Sequence, residues 1–390
     1  MADASRPEAP FTLARNAEAE ESARETLAAL LSAAEDAAGG AFAGAALGGA
    51  LGAGEGAAAR GPDGRLVPDG TFELLVVLDA PVRSAAAIGR RVRRGVGEAA
   101  RARHAAAAAD AVAWCEVPFL PPTLRVLELL GSGRVVAGPD HLLAGAPDAS
   151  RTVPGPREAL RLLVRQGAEL LRAEAIADRT PRGRSAREAL RIVEETDVAL
   201  GAVCLLSAGR WAAGLRARDA ALRELAAGRG AASGFHSRMT WTRFRDLVER
   251  HRDALAARAS GPDAPAGGEA RRAVARASDR WLEVLRLSEE ERLGATLPDW
   301  TELAAVFARL RSSAADGLLF EDAFGDAAVR RTIRRAARAW EPAERLAPAI
   351  AALVDWDPGD LSIVPVLLDL PANAPRSALK QRAIAWGVSA

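Results

Sequence analysis

Tyrosine is absent from the chain, and lysine occurs once, at Lys380. Arginine therefore supplies nearly all the positive charge. Together with the abundance of Ala and Gly, this marks a biased residue pool in which oddities of composition say little about chemistry. The only cysteines are Cys115 and Cys204, far apart and each in an apolar segment. That excludes a disulfide framework, a CxxC redox motif and a Cys/His zinc spacing, and both are expected as buried thiols in a reducing compartment. The histidines, His104, His141, His236 and His251, form no ligand motif. No strongly apolar run reaches the length that a bilayer requires, because Ala38 to Ala59 is mostly Ala and Gly and carries Glu55. The polar, acidic N-terminal stretch lacks a basic start followed by an apolar core. No signal peptide and no membrane partner are expected, and the expected localisation is cytoplasmic.

Charge of one sign is also missing in excess: the formal net charge is +1. That argues against a protein that coats a polyanion, and any basic patch has to be argued locally. About half of the 390 residues are apolar, enough to bury the cores of two domains.

The stretch Gly48 to Asp79 organises the rest. Gly48, Gly49, Gly52 and Gly54 form a glycine-rich turn, a polar loop follows, and Phe72 to Leu78 has the apolar density and Val content of a buried strand. Before it, Asn16 to Ala37 reads as an amphipathic helix with acids in its first half, and Ala41 to Leu47 as a first strand. After it, Pro81 ends the strand, and Ala85 to Ala109 is predicted as a crossover helix carrying Arg90, Arg91, Arg93, Arg94, Arg101 and Arg103. Ala111 to Val117, bounded by Pro118, fits a third strand. Thr123 to Leu130 reads as a helix and Gly133 to Gly138 as a short strand. The remainder is helical by pattern, with Gly209 breaking a helix pair between Ala186 and Ala227 and with helices over Thr240 to Ala259, Glu269 to Leu287, Pro298 to Leu310, Ala327 to Trp340, Pro342 to Val354 and Ser377 to Trp386. The predicted organisation is a disordered N-terminus (1–15), an α+β domain (16–150), a helical domain (151–259), the linker SGPDAPAGG (260–268) and a second helical region (269–390).

The order strand, glycine turn, strand resembles the nucleotidyltransferase fold of the polymerase-beta and kanamycin-nucleotidyltransferase kind. Its signature is Gly-Ser, a nearby Gly-Glu, and Asp-x-Asp entering a hydrophobic strand. Here Gly49-Ala50 stands where Gly-Ser would, Gly54-Glu55 fits, and Thr71-Phe72-Glu73 stands where Asp-x-Asp would. Further matches are the Pro121 to Gly138 block, the leucine-rich segment Pro156 to Arg165, and Leu200 to Leu206 with Gly209, Trp211 and Arg218. Ala202 occupies a position commonly Asp in the family, and Trp211 one that is commonly Tyr. The resemblance implies an α+β fold, a mixed sheet with helices followed by a large all-α region.

The family's chemistry tests each position. A nucleoside triphosphate needs backbone N–H groups at a glycine turn, and its Mg²⁺ needs oxygen ligands at i and i+2 on one strand face. Thr71 and Glu73 share such a face, but only Glu73 is charged, and in-line transfer by a metal pair wants about three carboxylates. In the register expected for the third strand, Ala113 takes the place of the third carboxylate and Glu116 points to the opposite face. The resemblance thus implies a degenerate nucleotidyltransferase that acts by binding a nucleotide or, through its helical half, a protein partner, with no cofactor. The candidate nucleotide-binding residues are Gly48, Gly49, Gly52, Gly54, Glu55 and Thr71. The alternative is an active enzyme that moves a nucleoside monophosphate to a small molecule or protein, with Glu73 catalytic and Glu73 and Asp69 holding Mg²⁺ beside an NTP. A third reading is a nucleic-acid-associated helical module. The arginine run Arg90 to Arg103 and the stripe Arg330, Arg331, Arg334, Arg335 and Arg338 are expected as solvated helix faces, so nucleic acid is not the expected partner. Arg245 and His251 match the loose Arg-x(4–6)-His pattern of HEPN-class ribonucleases. Six residues apart is about 600° of rotation, which does not stack the two on one helix face.

Overall fold

The structure is a computed structural model that describes residues 9–61, 64–179, 184–228, 234, 238–260, 267–294, 296–297, 300, 303–304, 342–355, 364–371 and 373–387. The linker 260–268 lies largely outside these residues, and so do the predicted helix 327–340 with its arginine stripe and most of 298–310. The chain divides into two units. The first comprises residues 1–154, 210–224 and 252–263; the second comprises 155–209, 225–251 and 264–390.

The fold is α+β, with a small mixed sheet towards the N-terminus and a large helical region. Helix α1 (Ala17–Ala38) starts where the Asn16 side chain accepts hydrogen bonds from the backbone N–H groups of Glu18 and Ala19, at 3.0 and 3.2 Å. Glu18 and Glu20 complement the positive end of the helix dipole. Its buried positions Ala23, Leu27, Leu30 and Ala34 recur every three or four residues, as one buried helix face demands. Strand β1 (Phe42–Gly48) leads into a single helical turn, α2 (Gly49–Gly52). The polar loop expected next instead folds into a ribbon of β2 (Ala57–Arg60) and β3 (Leu66–Asp69). Strand β4 (Thr71–Leu78), helix α3 (Val82–Ala102) and strand β5 (Ala106–Ala113) form a parallel crossover. Helix α4 (Leu124–Ser132) and strand β6 (Arg134–Ala137) complete the sheet, in the order β5-β4-β1-β6, with β1 antiparallel to both β4 and β6.

Alternation along β4 separates two cores. Phe72, Leu74, Val76 and Leu78 pack with Leu27 and Leu30 of α1 and Val92 and Val96 of α3. Leu75 and Val77 point the other way, to Leu129 of α4, Val117, Leu120 and Leu142. Glu73 belongs by alternation to this second face.

Three sequence expectations are corrected here. The crossover helix ends at Ala102 rather than Ala109, and the third strand begins at Ala106 rather than Ala111. The Ala-rich run 105–109 favours a helix by propensity, but pairing along the whole of β4 overrides it, with Arg103 and His104 (φ 52°) turning the chain between the two. Residues 114–119, expected to continue the strand, form a 3₁₀ turn that leaves Cys115 exposed rather than buried. Residues 9–15, expected as disordered, are pinned. Phe11 and Thr12 are buried, their N–H groups donate to Glu20 at 2.8 Å each, and Arg134 lies over the Phe11 ring.

The second unit is helical. In chain order the remaining helices of the chain are α5 (Pro156–Ala177), α6 (Arg184–Ser207), α7 (Leu215–Ala227), α8 (Trp241–Ser260), α9 (Gly267–Leu293), α10 (Pro342–Asp355), α11 (Val364–Leu367) and α12 (Arg376–Gly387), of which most of α7 and the end of α8 belong to the first unit. Helix α5 is central, packing against α6, α9, α10 and α12. The fully buried Trp281 of α9 donates its indole N–H to the Leu163 carbonyl of α5 at 2.9 Å. Cys204 of α6 is fully buried, and burial pushes its thiol pKa up. Among the described residues, no helix is long and apolar enough to cross a membrane.

Candidate functional site

The site lies where β1, β4 and β5 meet α4. Gly48, the last residue of β1, pairs with Glu73 of β4. On its other side β4 runs parallel to β5, with Glu73 opposite Ala108 and Leu75 opposite Asp110. Residues 108 and 110 alternate onto the same face as 73 and 75, so two carboxylates from adjacent strands share one surface. Helix α4 brings the third charge. Thr123 caps it by accepting from the Val126 N–H at 3.3 Å, which sets Arg125 on the first turn, over that surface.

Arg125 reaches both acids. Its Nη1 donates to Asp110 Oδ2 at 2.5 Å, its Nε lies 3.3 Å from Glu73 Oε2, and its Nη2 donates to the Ala108 carbonyl at 3.3 Å. Arg93 of α3 approaches the other Asp110 oxygen at 3.7 Å. The cavity bounded by Gly48, Glu73, Asp110 and Arg125 has a volume of about 30 Å³. That is room for about one water molecule, far below the few hundred Å³ of an ordinary small-molecule site.

The predicted residues divide. Gly48, Gly49 and Glu73 come together. Gly49 has φ 63°, and a β-carbon there would sit 3.0 Å from Glu73 Oε1, so glycine allows both the turn and the close carboxylate. Thr71 opens β4 opposite Ala106, on the same face two residues before Glu73. Gly52 is required by packing: a β-carbon would fall 2.2 Å from the Leu47 carbonyl oxygen. Gly54 (φ 73°) turns the chain at Pro10. Glu55 is engaged elsewhere. It is buried and accepts hydrogen bonds from the backbone N–H groups of Leu215 and Arg216, the latter at 3.1 Å, thereby capping the start of α7. Asp69 lies on the β2–β3 ribbon opposite Ala57 and does not line the cavity. The Arg330 to Arg338 stripe is outside the described residues.

The expectation that the third strand offers no carboxylate is corrected: Asp110 provides one. It was missed because the strand was placed five residues too late. The signal was present, since Asp110 is the single acid in an otherwise apolar run, AAAADAVA, at a position that alternation directs to the Glu73 face. Glu116 does not substitute for it; its side chain accepts from the Ala113 N–H at 2.8 Å. Arg125 carried no local motif.

Glu128, one turn beyond Arg125, accepts from the Gly214 N–H at 3.1 Å and pairs with Arg218, which stacks over Trp211. The residues Trp211 and Arg218 that suggested the family resemblance thus help to hold α4 in place. Arg245 and His251 do not form a pair: Arg245 is exposed and bridges to Glu249, whereas His251 is fully buried. Among the described residues no group of three or more His, Cys, Asp or Glu side chains is placed to hold a metal ion.

Chemically, the arrangement is two carboxylates whose facing oxygens are occupied by one guanidinium. A guanidinium balances the charge much as a divalent cation would, but it offers no open coordination position for a phosphate or water oxygen. Comparison of the chain with protein-family models, curated proteins and solved structures gives no significant match.

Proposed function

We propose that the protein is a catalytically degenerate nucleotidyltransferase-like protein that acts by binding. One observation carries this reading: Arg125 bridges Glu73 and Asp110, the two strand carboxylates to which this reading would assign a metal. Three further features support it. The turn Gly48–Gly49 abuts the same carboxylate, a strand order with one parallel crossover puts Glu73 and Asp110 on one face of adjacent strands, and the cavity of about 30 Å³ leaves no volume for a nucleoside. A protein or other macromolecular partner therefore fits better than a nucleotide.

The second reading, a metal-dependent nucleotidyltransferase, gains from the position of Asp110. In that reading Arg125 swings onto the phosphates and releases Glu73 and Asp110 to Mg²⁺. Thermal denaturation with ATP or GTP, with and without Mg²⁺, separates the two. Degeneracy predicts no metal-dependent stabilisation by nucleotide in the native protein. A rise in Tm of several degrees that needs Mg²⁺ and vanishes in Glu73→Ala and in Asp110→Ala would favour the enzyme instead.

A further inference from the structure

Helix α3 carries six arginines and one acid, Glu98. Its core face is Ala85, Gly89, Val92, Val96 and Ala100. At about 100° per residue, Arg83, Arg90, Arg94 and Arg101 fall within roughly 20° of one line on the opposite side, over about 27 Å of helix. All four are exposed, and among the described residues none makes an ion pair or hydrogen bond. The flanking arginines are engaged: Arg91 donates to the Ala37 carbonyl at 3.2 Å, and Arg93 lies near Asp110. Folding therefore uses the arginines at the edges of this face and leaves its centre line unpartnered.

We infer that this face of α3 binds the sugar-phosphate backbone of a nucleic acid without regard to sequence. The inference goes beyond the reading of the Arg125 pocket and stands without it. The near-neutral net charge had pointed to an ordinary solvated face. Charge complementarity to a linear polyanion follows instead from the alignment of four unpaired guanidinium groups, each able to grip a phosphate with two parallel N–H donors. A protein partner fits this face less well. Between the arginines stand Ala86, Ala87 and Gly97, so no large apolar or aromatic side chain is available to anchor a protein interface. The same small residues let a backbone lie close along the helix. Contacts of this kind bring affinity through counterion release and carry no base readout.

The test is fluorescence anisotropy with a labelled 20-nucleotide single-stranded RNA and a 20-base-pair DNA duplex, titrated from 50 to 200 mM salt. Four neutralised phosphates predict micromolar binding at the low end and a slope of log K against log salt of about −3 to −4. The double variant Arg90→Glu/Arg94→Glu should lose at least tenfold, and Arg90→Lys/Arg94→Lys should retain most of the binding. The exposed helical-unit pair Arg272→Glu/Arg276→Glu, with the same change in net charge, should stay within twofold of the native protein. Circular dichroism melts confirm that each variant is folded. The proposal is overturned by absence of binding to both probes at 50 mM salt, by equal loss in the two reversed pairs, or by poly-glutamate binding as tightly as the nucleic acids.

Discussion

Two clusters of arginine and carboxylate, one in each unit, show how differently the same side chains are used. In the first unit Glu73, Asp110 and Arg125 keep 29%, 47% and 39% of their side-chain surface exposed. In the helical unit Arg280 of α9 grips Asp197 of α6 through two nitrogens at 2.6 and 3.1 Å, and the pair is only 17% and 7% exposed. Burial raises the Asp197 pKa above the ordinary carboxylate value even though Arg280 opposes the rise, so desolvation outweighs attraction there. Such a pair is costly to break, because removing one member strands the other in a poorly solvated place. A half-exposed cluster contributes little to stability, since water screens each charge. Stability alone therefore does not account for Glu73, Asp110 and Arg125 standing together.

Three substitutions test the contrast. The largest effect is expected from Asp197→Ala, which leaves Arg280 facing the helical core and should cost about 3 kcal/mol, measured by urea denaturation. A cost below about 1 kcal/mol would show that the buried pair is no more structural than the exposed one. Next comes Glu55→Ala, which removes the acceptor for the Leu215 and Arg216 N–H groups and should cost about 1–3 kcal/mol by the same measurement. The smallest effect is expected from Arg125→Ala, at about 1 kcal/mol or less in thermal denaturation. A loss well above 2 kcal/mol would make Arg125 a structural clamp and remove the reason for treating its cluster as a former reaction centre.

Much of the first unit was legible in the residues. The apolar run Phe72 to Leu78 gave β4 and the glycines before it gave the turn after β1, because strand patterning and glycine's freedom to turn are local properties. Asp110 showed only as a lone acid in an apolar run, because alanine's helix preference hid the start of β5 and the pairing that overrides it comes from a strand more than thirty residues earlier. Arg125 depends on the angle at which α4 crosses the sheet, and Glu55 on a helix start 160 positions away. Spacing along the chain encodes neither. The exposed Cys115 follows from the same misplaced strand end.

The bond from Glu55 to the start of α7 bears on how the molecule is made. A nascent chain that has just emerged through residue 154 holds the whole four-stranded sheet, yet two of its acids, Glu55 and Glu128, still await Gly214 to Arg218. At about 5 to 20 residues per second that wait lasts roughly 3 to 13 s on the ribosome. Any fragment cut at the apparent end of the first domain would keep that defect permanently, so the sheet is best produced and handled in a chain that includes Gly214 to Arg218.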